Sequence, residues 1–340
     1  MRVTLKDLAE ETGFSITTVS RALAGYNDVS EKTRQLIMET AQQLGYQPNL
    51  LARQLKSRRT ETLGIILPSY GPYLTDPFFY EFLAGVGSEA GNLSYDLLLG
   101  THATAADELA AYKRMVGGSR VDGMIVLRTR RRDPRIQYLH EIGMPVVAFG
   151  RSETDFPFSY VDVDGEIGLR LLTQHFIDLG HRCIAYISTS PDLMFTEHRL
   201  LGYRRTLEAN GIPFDPTLVE IGNLTEESGL ECGLRLLEHT PRPTAIIAAN
   251  DMMALGVMMA ARQRGLRVGP ELAVGGYDDT QLARHTDPPL TSVSQPSFEV
   301  GQQICLLLIE QIRAEEPTIT QRILEPKLIV RASSGPSRVS

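Results

Sequence analysis

Only three cysteines occur in the 340 residues, Cys183, Cys232 and Cys305, far apart and odd in number. Such spacing fits neither a disulfide framework nor a zinc-ligand set, so each is expected as a reduced, packed thiol. No apolar run approaches the roughly 18 residues that span a bilayer. The N-terminus opens on charged and polar residues and lacks the apolar core of an export signal, so the expected location is cytoplasmic. The seven histidines are scattered, and no His-x-x-x-His or Gly-x-Ser-x-Gly pattern is present. The Gly-Gly pairs at 117–118 and 275–276 lack the spacing of a phosphate loop. With no catalytic set, metal site or cofactor motif, the chain does not read as an enzyme. The tail after Arg331, Ala-Ser-Ser-Gly-Pro-Ser-Arg-Val-Ser, has no leucine heptads.

At this length the chain is expected to form two or three domains, and 42% hydrophobic residues with ordinary charge content mark it as globular. The net charge of −7 is unevenly spread. Residues 1–60 carry nine Lys/Arg against six Asp/Glu, a net +3, which leaves −10 for the rest. A weakly basic head on an acidic body suits a protein that touches phosphates with one end.

The head carries the strongest local pattern. Two short helices, one over Thr4-Leu5-Lys6-Asp7-Leu8-Ala9 and one beginning after Gly13-Phe14-Ser15, bring Leu5, Leu8, Ala9, Val19, Ala22 and Leu23 into one small core. Ser15, Ile16, Thr17, Ser20 and Arg21 stay outside. Thr4 and Ser15 stand where an N-cap hydroxyl accepts an orphan backbone N–H. The pattern is that of a helix-turn-helix, whose second helix lies in the DNA major groove with first-turn side chains at base edges and hydroxyls near phosphates. Ser30 to Leu44 reads as a third helix, with Ile37, Ala41 and Leu44 completing the core and Gly45 ending it. Pro48 stops any continuation. Asn49 then caps a segment, Leu50 to Lys56, of about two turns, too short to be stable in water unless something holds it.

From Leu63 the texture changes. Short apolar runs at Leu63–Leu67, Tyr95–Leu99, Met124–Leu127, Val146–Phe149, Cys183–Ile187, Ala245–Ala249 and Ala273–Gly275 alternate with helical stretches such as Phe78–Asn92, Ala106–Val116, Gly165–Leu179 and Asp251–Arg264. Buried strands alternating with helices call for parallel sheets covered on both faces, here two in series. Ligands bind such sheets at the carboxyl ends of the strands, so two facing subdomains make a cleft.

The helix-turn-helix together with Val29-Ser30, Thr33-Arg34, Leu44-Gly45-Tyr46 and Pro48-Asn49 resembles the lactose-repressor (LacI/GalR) family of bacterial transcription regulators. So do Asp76-Pro77-Phe78-Phe79, Val161-Asp162-Val163-Asp164, Leu179-Gly180-His181-Arg182, Arg199-Leu200-Leu201-Gly202-Tyr203, Asn250-Asp251-Met252-Met253-Ala254, Gly276-Tyr277-Asp278-Asp279, Pro289-Leu290-Thr291-Ser292-Val293 and Leu328-Ile329-Val330-Arg331. The resemblance runs almost end to end. It implies an all-α helix-turn-helix head (1–46), a hinge helix and linker (47–60), and an α/β body (61–340) of the periplasmic-binding-protein-like kind with two doubly wound subdomains. The N-subdomain is expected at about 61–161 and 294–322, the C-subdomain at about 162–293 and 323–335. Three hinge crossings are expected near Tyr160–Val163, Leu290–Ser294 and Ile319–Leu324.

The resemblance further implies a homodimer on a near-palindromic double-stranded operator, without the tetramerising helix of some relatives. DNA contacts are expected from Thr4, Ser15, Ile16, Thr17, Ser20 and Arg21, and in the hinge from Asn49, Ala52, Arg53, Leu55 and Lys56. Leu55 matches the family's minor-groove wedge, which unstacks a base step and kinks the duplex; a core leucine between domains is the alternative. Arg58 and Arg59 are read equally as phosphate contacts or as solvated linker.

The effector expected in the cleft is a small molecule, a saccharide before a purine, acting as inducer or corepressor. Arg199, Asn250 and Asp278 match the family's effector-contacting positions, and such groups supply the mixed donors and acceptors that sugar hydroxyls need. For each a plainer role stays open: an ion pair for Arg199, a helix cap for Asn250, a turn cap for Asp278. Phe78 and Phe79 stack on the apolar side of a sugar or pack in the core, and Gln295, Arg128 and Arg151 are further cleft candidates. The run Arg128, Arg130, Arg131, Arg132 reads as a solvated face. The function expected is a repressor of carbohydrate-utilisation genes; a sugar-binding receptor of the same body fold without a transcriptional role is the alternative.

Overall fold

A computed structural model describes residues 3–23, 26–46, 59–69 and 76–335. The chain forms two compact units that divide between Arg59 and Thr60. No helix among the described residues is long and apolar enough to cross a membrane.

The head contains α1 (Leu5–Thr12), α2 (Ile16–Leu23) and α3 (Glu31–Gln43). Thr4 and Asp7 cap α1 reciprocally: the Thr4 hydroxyl accepts from Asp7 N at 3.4 Å, and the Asp7 carboxylate accepts from Thr4 N at 2.7 Å. Gly13, at φ +73°, ends α1 in the left-handed conformation that glycine adopts without strain. Ser15 and Ser30 cap the next two helices, accepting from Thr18 N at 3.1 Å and Thr33 N at 3.3 Å. Leu8, Ala9, Val19, Ala22, Ile37 and Ala41 are buried together, with Leu5 and Leu23 packed against them. Leu44 does not join this core and is 38% exposed. The helix ends at Gln43, the chain reverses at Gly45 (φ +65°), and Tyr46 packs on the core in its place, its N–H donating to Ala41 O at 2.8 Å.

The body contains β1 (Thr62–Pro68), β2 (Asp96–His102), β3 (Gly123–Val126), β4 (Val146–Phe149), β5 (Ser159–Val163), β6 (Ile184–Ser188), β7 (Val219–Ile221), β8 (Ala245–Ala248), β9 (Ala273–Asp278), β10 (Thr291–Ser294), β11 (Gln321–Leu324) and β12 (Lys327–Ile329). Between them run α4 (Pro77–Asn92), α5 (Glu108–Gly117), α6 (Pro134–Glu141), α7 (Gly165–Asp178), α8 (Met194–Ala209), α9 (Glu226–Leu236), α10 (Asp251–Gln263), α11 (Gln281–His285) and α12 (Ser297–Arg313). The first sheet is ordered β11-β5-β4-β3-β1-β2 and is parallel throughout; the second is β12-β10-β9-β8-β6-β7, with β12 alone antiparallel. Central strands such as β3 (Gly-Met-Ile-Val) and β8 (Ala-Ile-Ile-Ala) are buried along their whole length because helices cover both faces. The run expected at Tyr95–Leu99 lies instead at Asp96–His102. It forms the sheet edge, where Leu99 is 44% exposed. Cys232 and Cys305 are buried, Cys183 half-buried, and all three are free thiols.

The chain passes between the two lobes three times: from β5 into α7, from β10 through Gln295 and Pro296 into α12, and from β11 through Glu325 and Pro326 into β12. After the second crossing α12 packs back on α4 of the first lobe at backbone distance. A Cβ on Gly85 would sit 2.0 Å from Phe298 O, and one on Gly301 2.3 Å from Phe82 O. The two helices cannot separate to admit a methyl group without disturbing the buried Phe82, Val86, Val300 and Ile304 around them. Gly85→Ala is therefore expected to destabilise the body by about 1–3 kcal/mol through overpacking, measured by chemical denaturation; an unchanged midpoint would contradict this packing.

Candidate functional site

The carboxyl ends of both sheets face one cavity, whose space not filled by atoms, its open mouth included, is about 720 Å³. Phe78, Phe79, Arg128, Arg151, Arg199, Asn250, Asp278 and Gln295 all line it, brought together from both lobes and from the second crossing.

In the first lobe the charges are paired. Asp76 caps α4, its Oδ1 accepting from Phe78 N at 3.1 Å, and its Oδ2 accepts from Arg128 Nη2 at 2.8 Å. Burial pushes the Asp76 carboxyl above its ordinary range, against the pull of Arg128. The Arg128 guanidinium lies over the Phe79 ring, 4.9 Å from its centre, and its backbone stands at φ +49°. Arg135 reaches up from α6 to hold that backbone, donating to Arg128 O at 3.1 Å while it pairs with Asp133 at 2.6 Å and Glu108 at 2.9 Å. Arg151 Nε donates to Asp162 Oδ2 at 2.7 Å, and Asp162 Oδ1 accepts from Val163 N. Burial raises the Asp162 carboxyl despite Arg151. Phe78 stacks on Phe149 with centres 5.6 Å apart and planes within 16°. Phe78 and Phe79 are thus core residues and cavity walls at once.

The second lobe is organised differently. Arg199, buried in α8, has no carboxylate within 4 Å among the described residues: Nη1 donates to Ala249 O at 2.6 Å, and the guanidinium lies between the rings of Tyr277 (3.5 Å) and Phe195 (4.6 Å). Asn250 is a helix cap, its Oδ1 accepting from Met253 N at 2.9 Å, while its Nδ2 donates to Leu224 O at 3.1 Å. Each end of that amide keeps one further hydrogen-bonding direction. Asp278 caps no turn; its Oδ1 accepts from Gln295 Nε2 at 2.6 Å, across the second crossing. Burial holds the Asp278 carboxyl well above the ordinary range, against Arg199 and with help from Asp76 and Asp251.

Asp251 supports this turn from behind. Asp278 and Asp279 have φ of +103° and +51°, a strained pair for residues with a Cβ. The Asp251 carboxylate accepts from Thr280 N at 2.7 Å, Thr280 Oγ1 at 3.0 Å and Ser292 Oγ at 2.6 Å, so it ties the residue after the turn to β10.

The lobes also touch directly beside the cavity. Met194 N donates to Thr129 O at 2.9 Å, and Arg131 N to Asp192 O at 3.0 Å. The arginine run at 128–132 is therefore not simply a solvated face: Arg128 and Arg130 are bound to Asp76 and Glu108, and Arg131 pairs with Glu153 at 2.9 Å and Glu197 at 3.7 Å. Arg131 and Arg132 are both exposed, as a solvated face requires, with Arg132 3.9 Å from Glu153. The cavity also recruits Asp76, Asp162, Phe149, Phe195 and His198, which sequence reasoning did not select as ligand contacts. Asp76 and Asp162 stood in recognised blocks, but nothing local marked them as partners of arginines 52 and 11 residues away.

In the head, Thr4, Ser15, Ile16 and Thr17 are exposed, with Ile16 at 50%, and Ser20 is half-buried on α2. Arg21 is also half-buried: it pairs with Asp28 at 2.5 Å and lies 4.7 Å from the Tyr26 ring centre. Asn49, Ala52, Arg53, Leu55, Lys56 and Arg58 lie outside the described residues.

Comparison with known proteins finds matches to both the head and part of the body. Residues 4–49 match the model for bacterial regulatory proteins of the lacI family, and residues 173–334 match a periplasmic binding protein-like domain. The HTH-type transcriptional regulator CelR of Thermobifida fusca is 37% identical over 98% of each chain. A solved structure of a CelR–cellobiose complex has a TM-score of 0.77 at 36% identity, covering 98% of this chain and all of that one. The lac repressor dimer bound to operator and the anti-inducer ONPF has a TM-score of 0.85 at 28% identity with the same coverage.

Burial raises Asp251 from 3.8 to about 7, so between those values the folded chain holds a proton that the unfolded chain has released. Its contribution to stability is full below pH 4 and is lost as the pH rises through 7. The stability difference between the wild-type chain and Asp251→Asn, by chemical denaturation, is expected to move by about 2–4 kcal/mol in the variant's favour from pH 5 to pH 8. A difference independent of pH would contradict this reading of Asp251.

Proposed function

This chain belongs to the lacI family of bacterial transcription regulators, and on that premise we propose that it is a repressor of carbohydrate-utilisation genes whose operator affinity is switched by a saccharide bound in the cleft. The observation that carries the reading is the cavity itself. Sugars present ring faces that stack on aromatic side chains and hydroxyls that both donate and accept. The cavity offers Phe78 and Phe195 beside three arginines, three aspartates, an asparagine and a glutamine. Arg199 and Asp278 approach the ligand space from the second lobe without being paired to each other, so a hydroxyl pair that binds both supplies what each lacks. CelR, whose structure contains cellobiose, makes a β-linked glucose disaccharide the first probe.

Thr17, Ser20 and Arg21 read the major groove of a near-palindromic operator in this proposal, with Thr4 and Ser15 near phosphates and Ile16 at base edges. One such head covers too little DNA for specific binding, so the working form is a homodimer. Leu55, flanked by Asn49, Ala52, Arg53 and Lys56, enters the minor groove as a wedge that holds the bend between half-sites. Arg21 gives up or shares its pairing with Asp28 on docking. Effector binding changes the setting of the two lobes about their three crossings, and with it the pairing of two hinge segments.

The test uses an operator selected from random DNA by the full chain. Cellobiose is expected to change the affinity of the wild-type chain for it by about 5–150-fold, the usual span of allosteric coupling. Arg199→Ala and Asp278→Ala are expected to bind the operator but to lose that response. Retention of the full response by both variants would contradict the proposal.

A further inference from the structure

Several polar groups of the cavity are already accounted for: Asn250 by its cap, Arg128 by Asp76, Asp278 by Gln295, and Arg199 in part, through Nη1, by Ala249 O. His198 is not. It sits on α8 three residues after Phe195 and one before Arg199, and all three line the cavity. Its Nε2 is buried with no hydrogen-bond partner among the described residues, and the same is true of Nη2 on Arg151, another residue of the cavity wall. Arg199 Nε beside them is a third. Unpaired buried polar atoms are rare in folded proteins, and three in one wall call for a common explanation.

The surroundings favour the neutral imidazole. Burial, and then the charge of Arg151, hold it toward the neutral state; Asp162, Glu197 and Asp164 pull the other way and are outweighed. Gly165 at the start of α7 backs it closely, since a Cβ there would lie 3.6 Å from His198 Cβ. A neutral imidazole keeps one ring nitrogen as an acceptor, whereas Arg151 offers only donors. A hydroxyl placed between them would serve both, donating to the imidazole and accepting from the guanidinium.

We propose that His198 is a specificity-determining contact of the effector, its Nε2 accepting a hydrogen bond from a ligand hydroxyl that accepts in turn from Arg151 Nη2. This rests on the saccharide reading and adds to it the residue that distinguishes a sugar with a hydroxyl at this point from one without. A site built to pair with a hydroxyl discriminates strongly against its absence, because the buried partners are then left unmatched. Binding also withdraws the imidazole further from water. Affinity should then fall as the pH drops into the range where the free chain protonates His198.

The experiment is calorimetric titration of the full chain with cellobiose at pH 8 and pH 5. His198→Leu is expected to weaken binding at pH 8 by about tenfold, as loss of one hydrogen bond does. His198→Gln, whose amide keeps an acceptor, is expected to recover most of that loss. Acidification should weaken the wild-type chain more than His198→Leu. Cellobiose binding by His198→Leu as tight as by the wild type, or by His198→Gln as weak as by His198→Leu, would overturn the inference while leaving the saccharide reading intact. A wild-type chain that binds no cellobiose would overturn that reading and this inference with it.

Discussion

A charged side chain can be buried only beside something that answers it, and this constraint governs the body of the protein. Three arginines and three aspartates share one cavity between the lobes. The first lobe answers its own: Arg128 with Asp76 and Arg151 with Asp162. In the second, Arg199 is held by a carbonyl and two aromatic rings, and Asp278 by Gln295. The buried ion pairs of the cavity among the described residues thus stay within the first lobe. What joins them there is Gln295 at a crossing, the short backbone contact of 129–131 with 192–194, and the exposed Arg131–Glu197 pair beside it.

That arrangement places the chemistry next to the hinge. Asp162 and Val163 end β5 at the first crossing, Gly165 begins α7 beyond it, and all three line the cavity, as does Gln295 at the second. A ligand shifts a conformational equilibrium only by its difference in affinity for the two states. Groups at the crossings acquire such a difference readily, because a change in the setting of the lobes moves them relative to Arg128 on one side and Arg199 on the other. Asp251 serves the same end from behind, since the strained turn at Asp278 and Asp279 stays in place while Thr280 and Ser292 are tied to one carboxylate.

What could be read from the residues follows from how local each signal is. The caps at Thr4 and Ser15 and the buried runs of β3 and β8 depend on neighbours in sequence, and they were visible there. Leu44 had the right spacing for the head core, but the left-handed turn at Gly45 gave its place to Tyr46. Residues 95–99 had the apolarity of a central strand, yet sheet order made their strand an edge. The arginine run looked solvated because its carboxylates, Asp76, Glu108, Glu153 and Glu197, come from four other places in the chain. His198 had no local signal beyond its place before Arg199; its interest lies in a missing partner, which only the packed structure reveals.

The central claim is that the cleft and the DNA-binding head are thermodynamically coupled, and coupling must be reciprocal. The most direct measurement is the affinity of the full chain for cellobiose, free and saturated with its selected operator, at one temperature and one salt concentration. The account predicts that operator changes the sugar affinity by the same factor as sugar changes the operator affinity. Equal sugar affinities for the free and DNA-bound chain, measured with cellobiose bound in both, would contradict it.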